Sequence, residues 1–119
     1  MIVDDHPDVR FLMRAAVEDA AEDIEVVAEA ADAASALELV ETVGVDVIVL
    51  DALMPLMDGY EAAAELRSRH PELPIVLCTG VVDGVVRAAA EAVGIAACLS
   101  KDEFEAIPGL VARLASAGK

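Results

Sequence analysis

The pattern of hydrophobic and polar positions along this chain repeats one unit five times, a short apolar run followed by an amphipathic stretch. Apolar residues that recur every three or four positions predict helices, whereas short apolar runs bounded by turn residues predict buried strands. The predicted strands cover residues 1–4, 24–30, 46–51, 74–79 and 95–100. The predicted helices cover residues 8–22, 33–43, 58–69 and 83–93, with a last helix that ends near residue 116. This order predicts an α/β fold in which a parallel sheet carries helices on both faces.

Residues with special backbone chemistry stand at the predicted helix ends. Asp8 and Asp32 are predicted to cap the first two helices, because a carboxylate there accepts hydrogen bonds from free amides. Gly44 and Gly94 follow the second and fourth helices, where glycine commonly ends a helix. Pro108 is expected in the first turn of the last helix, since proline has no amide hydrogen to donate deeper in a helix.

Length and hydropathy narrow the class of protein. The chain has 119 residues, which is the length of one domain, and residues 1–119 are predicted to form that domain. No apolar stretch approaches the roughly 20 residues that a membrane helix needs, so we expect no membrane contact. The N-terminus reaches Asp4 and Asp5 too soon for a signal peptide. A cytoplasmic location is therefore expected.

Charge and cysteine usage exclude further classes. The net charge is −15 and the chain has only 8 lysines and arginines, which argues against direct nucleic-acid binding by this segment, because such binding needs basic side chains. Cys78 and Cys98 each lie within the apolar run of a predicted strand. We interpret both as small buried residues in a reducing compartment, rather than as a disulfide or a zinc site.

Polar residues of a specific kind follow four of the five apolar runs. Asp4 and Asp5 follow the first run, Asp51 follows the third, Thr79 ends the fourth, and Lys101 follows the fifth. The carboxyl ends of parallel strands line one crevice in an open α/β sheet, and strand order 2-1-3-4-5 would place the three acids at its switch point. We therefore expect these five side chains to meet in one site.

The chemistry of such a site is that of phosphoryl transfer to an aspartate. Clustered carboxylates repel one another unless a cation joins them, and oxygen ligands that leave room for water and phosphate suit Mg²⁺. His6, beside the two aspartates, is therefore interpreted as a loop residue and not as a metal ligand. An aspartate beside Mg²⁺ can act as a nucleophile, while a lysine and a hydroxyl can bind the remaining phosphoryl oxygens.

These motifs together resemble the receiver domain of two-component response regulators, and the resemblance covers essentially the whole chain. The matching pieces are Asp4-Asp5, the run from Asp51 through Met54, Pro55 and Met57 to Asp58-Gly59, the pair Thr79-Gly80, and Ser100-Lys101-Asp102. The resemblance implies a flavodoxin-like (βα)5 doubly wound sheet with strand order 2-1-3-4-5. Asp-His-Pro at positions 5–7 and Ser-Lys-Asp at positions 100–102 are similar to receivers attached to helix-turn-helix DNA-binding domains.

The resemblance implies a magnesium site and assigns its ligands. Asp51 would be the phosphoacceptor and also a metal ligand. Asp5 would bind the metal directly, and Asp4 would help directly or through water. The backbone carbonyl of Leu53 would be the third protein ligand.

The remaining implied roles concern the phosphoryl group, the loop and the partners. Thr79 and Lys101 would contact the phosphoryl group, and Pro55 and Gly59 would shape the loop after Asp51, Gly59 by a backbone conformation that other residues avoid. A histidine kinase or phosphotransfer protein would supply the phosphoryl group. An output domain or partner absent from this chain would receive the signal, and the fourth helix, fifth strand and fifth helix would form a partner or dimer surface.

Two positions depart from the family's pattern. Cys98 stands three residues before the lysine, where receivers usually have Tyr or Phe. A cysteine provides no ring to report the movement of the threonine, so we expect the signal to pass through backbone shifts of residues 80–83. Leu53 stands where a polar residue is common. Its side chain would hinder the water that hydrolyses the acyl phosphate, which predicts a long-lived phosphorylated state.

Two other functions use similar residues. Phosphatases of the haloacid dehalogenase class also combine an aspartate nucleophile with Mg²⁺, but they typically carry a second aspartate where this chain has Leu53. A receiver-like binding module would work without phosphorylation, usually after losing acidic residues or the lysine. This chain keeps them all, so we expect a switch that catalyses only its own modification and not an enzyme with a free substrate.

Overall fold

Five strands and five helices alternate along the chain, in the order that the hydrophobic pattern predicts. The computed structural model describes residues 1–20, 23–53 and 58–117. The strands are β1 (Ile2–Val3), β2 (Glu29–Ala30), β3 (Ile48–Leu50), β4 (Ile75–Thr79) and β5 (Ala97–Ser100). The helices are α1 (Pro7–Glu18), α2 (Ala33–Thr42), α3 (Gly59–Arg69), α4 (Gly84–Ala92) and α5 (Ile107–Ala117), the last preceded by a short 3-10 turn, Phe104–Ala106.

The sheet has strand order β2-β1-β3-β4-β5, and every pair of neighbours is parallel. Val3 pairs with Leu50, Leu50 pairs with Leu77, and Thr79 pairs with Ser100. This register brings the carboxyl ends of β1, β3, β4 and β5 to one edge of the sheet. The predicted fold class and strand order are confirmed, and they place the strand-end residues in one crevice.

Helices cover both faces of the sheet because alternate strand residues point to opposite sides. On one face, Val3 and Leu50 pack with residues of α2 and α3, Leu66 among them. On the other face, Ile2 and Val49 pack with residues of α1 and α5. Strands buried on both faces are the reason that the apolar runs of β3 and β4 are nearly continuous. Among the described residues, no helix is both long enough and apolar enough to cross a membrane.

Helix ends agree with the predicted caps in part. The Asp32 carboxylate accepts a hydrogen bond from the amide of Ser35 at 2.7 Å and caps α2 as predicted. Gly94 follows α4 with φ of 81°, a conformation that suits glycine. Helix α2 ends at Thr42 with Val43 as its cap, one residue before Gly44. Pro108 lies in the first turn of α5, as predicted.

Other boundaries were predicted wrongly. Asp8 does not cap α1, because the helix already starts at Pro7, with His6 at the capping position. Proline is favourable at a first helical position, since the amide it lacks has no partner there. Helix α1 ends at Glu18, and residues 21 and 22 of the predicted helix lie outside the described residues. Strand β2 spans only Glu29–Ala30, at the edge of the sheet, where it pairs with the equally short β1.

Candidate functional site

Four elements of the sheet bring their polar end residues together. Asp4 follows β1 and is fully buried, and Asp51 follows β3 with only 2% of its surface exposed. The Lys101 ammonium, which follows β5, lies 3.0 Å from Asp4 Oδ2 and 3.3 Å from Asp51 Oδ1. Thr79 is buried at the end of β4, and its carbonyl accepts a hydrogen bond from the Lys101 amide at 2.8 Å. Two buried carboxylates and a partly exposed lysine, from distant parts of the sequence, thus form one ion-pair network.

A group of possible metal ligands lies at the same edge. Asp4, Asp5, His6 and Asp51 each offer one ligand atom, and these atoms all lie within 4.8 Å of one another. Asp4 Oδ2 and Asp5 Oδ1 are buried atoms that have a nearby Lys101 or His6 nitrogen but no well-aligned hydrogen bond in the described part of the chain. Carboxylate oxygens that are close together and short of donors suit a small hard cation such as Mg²⁺. The donor set therefore fits the metal that the sequence predicts.

His6 lies closer to the carboxylates than a solvated loop residue would. Its Nδ1 is 3.2 Å from Asp4 Oδ1 and 3.1 Å from Asp5 Oδ1, and its backbone amide donates to Asp4 Oδ1 at 2.9 Å. The imidazole remains largely exposed. These contacts connect the start of α1 with the two acids, while oxygen remains the ligand that Mg²⁺ prefers.

The electrostatics of the pair Asp51 and Lys101 follow from burial and from neighbouring charges. Burial raises the pKa of the Asp51 carboxyl, the charge of Asp4 raises it further, and Lys101 opposes both effects in part. Burial alone would lower the pKa of Lys101, but its contacts with Asp4 and Asp51 outweigh burial and raise it. The lysine therefore stays charged, and the same negative charges of Asp4 and Asp51 that hold it favour the binding of a cation.

Gly59 is required for space and not for an unusual backbone conformation. It is the first residue of α3, and its amide donates to the Ala52 carbonyl at 2.9 Å. A Cβ atom at this position would lie 2.1 Å from the backbone oxygen of Asp51. In the described residues, the only glycine with positive φ is Gly94, so the predicted reason for Gly59 is wrong. Pro55, Met54 and Met57 of the same loop lie outside the described residues.

Leu53 stands at the rim of the site. Its residue surface is 75% exposed, so its side chain extends into solvent two residues after Asp51. The metal-binding role of its carbonyl and the shielding role of its side chain stay predictions.

An aromatic ring does lie beside Cys98, although it comes from another element. Tyr60, in the first turn of α3, packs against a small core that contains Leu77, and Cys98 and Val86 pack against the same core. Burial, followed by the proximity of Cys98, raises the pKa of the Tyr60 hydroxyl. The sequence offered one signal for this residue, because Tyr60 is the chain's only tyrosine and directly follows Gly59.

A doubly wound five-stranded sheet with a buried carboxylate–lysine site at its carboxyl edge defines a flavodoxin-like fold of the receiver type. Residues 1–113 match the family model described as "Response regulator receiver domain". The chemotaxis protein CheY of Listeria monocytogenes is 35% identical over 95 residues, a match that covers 75% of this chain and 78% of that protein. The chain therefore belongs to the response regulator receiver domain family.

Two further similarities agree with this family. The cyclic di-GMP phosphodiesterase response regulator RpfG of Xanthomonas campestris is 39% identical over 97 residues, covering 80% of this chain and 25% of that protein. The solved signal receiver domain of the response regulator NarL from Mycobacterium tuberculosis superposes with a TM-score of 0.88 at 34% identity. That superposition covers 97% of this chain and 93% of that chain. Receiver domains are signalling domains that work with histidine kinases and output domains, and they bind Mg²⁺ at an acidic pocket.

Proposed function

We propose that this domain is a phosphorylation-dependent switch that accepts a phosphoryl group on Asp51, with Mg²⁺, from a histidine kinase or phosphotransfer protein. The observation that carries the proposal is the pairing of the buried Asp51 carboxylate with the Lys101 ammonium at 3.3 Å, beside the fully buried Asp4. A carboxylate held next to a fixed cation is arranged to receive a dianionic group.

The reaction begins at the Asp51 carboxylate. One of its oxygens attacks the phosphorus of a phosphohistidine, the new P–O bond forms, and the P–N bond breaks with its electron pair left on the imidazole nitrogen. Such transfer depends mainly on positioning and on charge neutralisation. Burial raises the pKa of Asp51, and the nearby Lys101 ammonium opposes that rise by favouring the ionised carboxylate, which is the nucleophilic form.

Lys101 and Thr79 are placed to hold the transferred group. The raised pKa of Lys101 keeps the ammonium charged, and it can move from the carboxylates onto a phosphoryl oxygen as that oxygen gains charge. The buried Thr79 ends the neighbouring strand, so its hydroxyl is the candidate donor to a second phosphoryl oxygen.

Asp4, Asp5, Asp51 and the Leu53 carbonyl are the residues that would hold the metal. When bound, Mg²⁺ supplies positive charge that screens the carboxylates from the incoming phosphoryl oxygens. Asp4 is fixed by its contacts with Lys101 and the His6 amide, whereas the side chain of the partly exposed Asp5 contacts only the His6 imidazole among the described residues. Asp5 is therefore the carboxylate with the greater capacity for direct metal binding.

Phosphorylation would change a partner surface formed by α4, β5 and α5, which is also a possible dimer surface. Val85 of α4 is 78% exposed, and Ala88 and Ala92 of the same helix are exposed too. A patch of this kind is typical of interaction surfaces. Phosphorylation acts by shifting a conformational balance that already exists. The motifs at positions 5–7 and 100–102 favour a helix-turn-helix output domain, although the similarity to CheY and RpfG leaves the output open. The cytoplasmic location expected from the sequence stays a prediction.

The two alternative functions are less well supported. A haloacid dehalogenase-like phosphatase needs an acid/base carboxylate two residues after the nucleophile, and that position is Leu53. A binding module that works without phosphorylation would have no need for the intact network of Asp4, Asp51 and Lys101.

The experiment that tests the proposal is incubation of the purified chain with acetyl phosphate and Mg²⁺, followed by intact-mass analysis. We expect the addition of one phosphoryl group, its absence with EDTA, and its absence in Asp51→Asn. Repeated hydrolysis of a phosphate monoester would instead favour the phosphatase. Equal modification of wild type and Asp51→Asn, or no modification of wild type, would overturn the proposal.

A further inference from the structure

Arg10 contacts the backbone of the acidic site without touching its carboxylates. The Arg10 side chain lies in α1 and is 19% exposed. Its Nη1 donates to the backbone carbonyl of Asp4 at 2.6 Å, and its Nε lies 3.4 Å from Glu29 Oε1 in β2. The guanidinium is rigid and planar, so these two contacts hold it in one orientation between α1 and the sheet edge.

The carbonyl that Arg10 binds belongs to the peptide unit between Asp4 and Asp5. Strands β1 and β2 end at Val3 and Ala30, so the ladder between them stops before this carbonyl. The last bond of that ladder is the one that the Asp4 amide donates to the Ala30 carbonyl of β2, at 3.0 Å. Asp4 is fully buried, and a buried carbonyl needs a donor. Arg10 supplies that donor at the point where the sheet no longer does.

The contact bears on both acids because a peptide unit is planar. Holding the oxygen of the Asp4–Asp5 peptide unit sets the plane from which both α-carbons depart. The directions of the Asp4 and Asp5 side chains depend on that plane. We propose that Arg10 is a positioning residue for the metal site, one that orients the Asp4 and Asp5 carboxylates through their shared peptide. This inference rests on the proposed function of the same site.

Charge and positioning make opposite predictions for the loss of Arg10, which makes the inference testable. Arg10 is a cation near several acids, so its removal would strengthen cation binding if only long-range charge mattered. If Arg10 orients the acids, its removal weakens cation binding in spite of the gain in negative charge. Mutation of a residue that orients metal ligands without binding the metal typically weakens metal affinity by about tenfold or more.

Arg14 is the matched control. It lies one turn further along α1 and binds the same Glu29 carboxylate, with its Nε 2.7 Å from Oε2. Among the described residues, its side chain contacts Glu29 and Glu18, and neither is part of the acidic site. Arg14→Ala therefore removes one positive charge and one ion pair with Glu29, as Arg10→Ala does, but it leaves the hydrogen bond from Arg10 to the Asp4 carbonyl in place.

The experiment is a calorimetric titration of the whole chain with Mg²⁺ alone, together with phosphorylation by acetyl phosphate at low and saturating Mg²⁺. We expect the Mg²⁺ dissociation constant of Arg10→Ala to rise roughly tenfold, while that of Arg14→Ala stays the same or falls. We also expect saturating Mg²⁺ to restore the phosphorylation rate of Arg10→Ala, because the reacting residues are untouched. Arg10→Gln, which can still donate to the carbonyl, should recover part of the affinity.

Several results would overturn the inference. Mg²⁺ binding by Arg10→Ala that is as tight as in Arg14→Ala would do so, as would a phosphorylation rate that saturating Mg²⁺ does not restore. In both cases, phosphorylation of the wild type would leave the proposed function intact. A wild type that binds no Mg²⁺ and accepts no phosphoryl group would overturn both the inference about Arg10 and the proposed function. If Arg10→Ala does not fold, the pair Arg10→Gln and Arg14→Gln supports the inference only if Arg10→Gln binds Mg²⁺ more weakly than Arg14→Gln.

Discussion

The N-terminus of helix α3 lies directly against the backbone of Asp51, because Gly59 leaves room for the Asp51 carbonyl oxygen. A Cβ atom on Gly59 would lie 2.1 Å from that oxygen and 2.8 Å from the Ala52 α-carbon. Real Cβ atoms do not approach backbone atoms so closely, and neither atom is the end of a flexible side chain. The position of α3 relative to the site therefore depends on the absence of a side chain at position 59.

Gly59→Ala is expected to lower the free energy of unfolding by about 1–3 kcal/mol, the usual cost of overpacking a filled site. It should also slow phosphorylation, since the Asp51 backbone must shift. Gly84→Ala is the matched control, because Gly84 also begins a helix after an aspartate cap but has no atom within 4 Å of a built Cβ. Chemical denaturation checks both variants. Equal stability of the two would contradict the steric explanation.

Asp51→Asn is expected to stabilise the metal-free protein at neutral pH. Burial raises the pKa of Asp51 above its ordinary value of 3.8. A carboxyl whose pKa is higher in the folded state favours folding only when protonated, and this contribution is lost as the pH rises through the folded pKa. The advantage of the neutral asparagine should therefore be present at neutral pH and shrink toward zero below the ordinary pKa.

Thermal unfolding in EDTA at a series of pH values measures that difference. The contrary result is a stability of Asp51→Asn relative to the wild type that does not change between neutral pH and pH values below about 4. A constant difference of this kind would show that the charge of Asp51 is not its origin. Addition of Mg²⁺ should then raise the midpoint of the wild type more than that of Asp51→Asn, because the wild type keeps one more carboxylate ligand.

Leu53→Asn is expected to shorten the life of the phosphorylated state. The leucine side chain is 75% exposed at the rim of the site, where it can shield the acyl phosphate from water, whereas an amide can hydrogen-bond a water molecule. The loss of phosphate after removal of acetyl phosphate, followed by intact mass, measures the rate. A dephosphorylation rate in Leu53→Asn that is equal to or slower than that of the wild type would count against this role.

The two thiols are expected to react at different rates with an alkylating reagent in the folded protein. Burial raises the pKa of Cys78 to about 11, and its side chain is inaccessible. Burial also raises the pKa of Cys98, but that residue is partly exposed. Because the thiolate is the reactive form, Cys98 should be modified first and Cys78 only on unfolding. Peptide mass mapping distinguishes the sites. Prior labelling of Cys78 would contradict the assigned burial.

Tyr60 is expected to report activation through its fluorescence. The chain has one tyrosine and no tryptophan, so the emission comes from this residue alone. Tyr60 packs against the same small core as Cys98 and Val86, which belong to β5 and α4, and a shift of these elements should change its surroundings. Beryllofluoride with Mg²⁺ should change the emission of the wild type and leave Asp51→Asn unchanged. An unaltered spectrum in a phosphorylated wild type would place the conformational change elsewhere.

Much of this domain is determined by patterns that are local in sequence. Apolar runs identified all five strands, because a strand buried on both faces can carry few polar residues. The chain order of Asp5, Asp51, Thr79 and Lys101 predicted one crevice, since parallel strands in this order must end at one edge. The helix caps were less predictable. The sequence pattern placed Asp58 and Asp83 inside α3 and α4, but both residues lie just before those helices. Each carboxylate accepts a hydrogen bond from the backbone amide three residues later.

Only the tertiary structure decided the contacts between elements far apart in sequence. Tyr60 of α3 and Cys98 of β5 pack against one small core that contains residues of β4 and α4. Arg10 of α1 donates a hydrogen bond to the Asp4 carbonyl at the end of β1. The need for Gly59 arises from the Asp51 carbonyl, eight residues away in sequence, and not from its own backbone angles. Periodicity records which face of an element is buried, but it does not record which atoms of another element lie against that face. Those distances follow from the packing of the whole sheet and its helices.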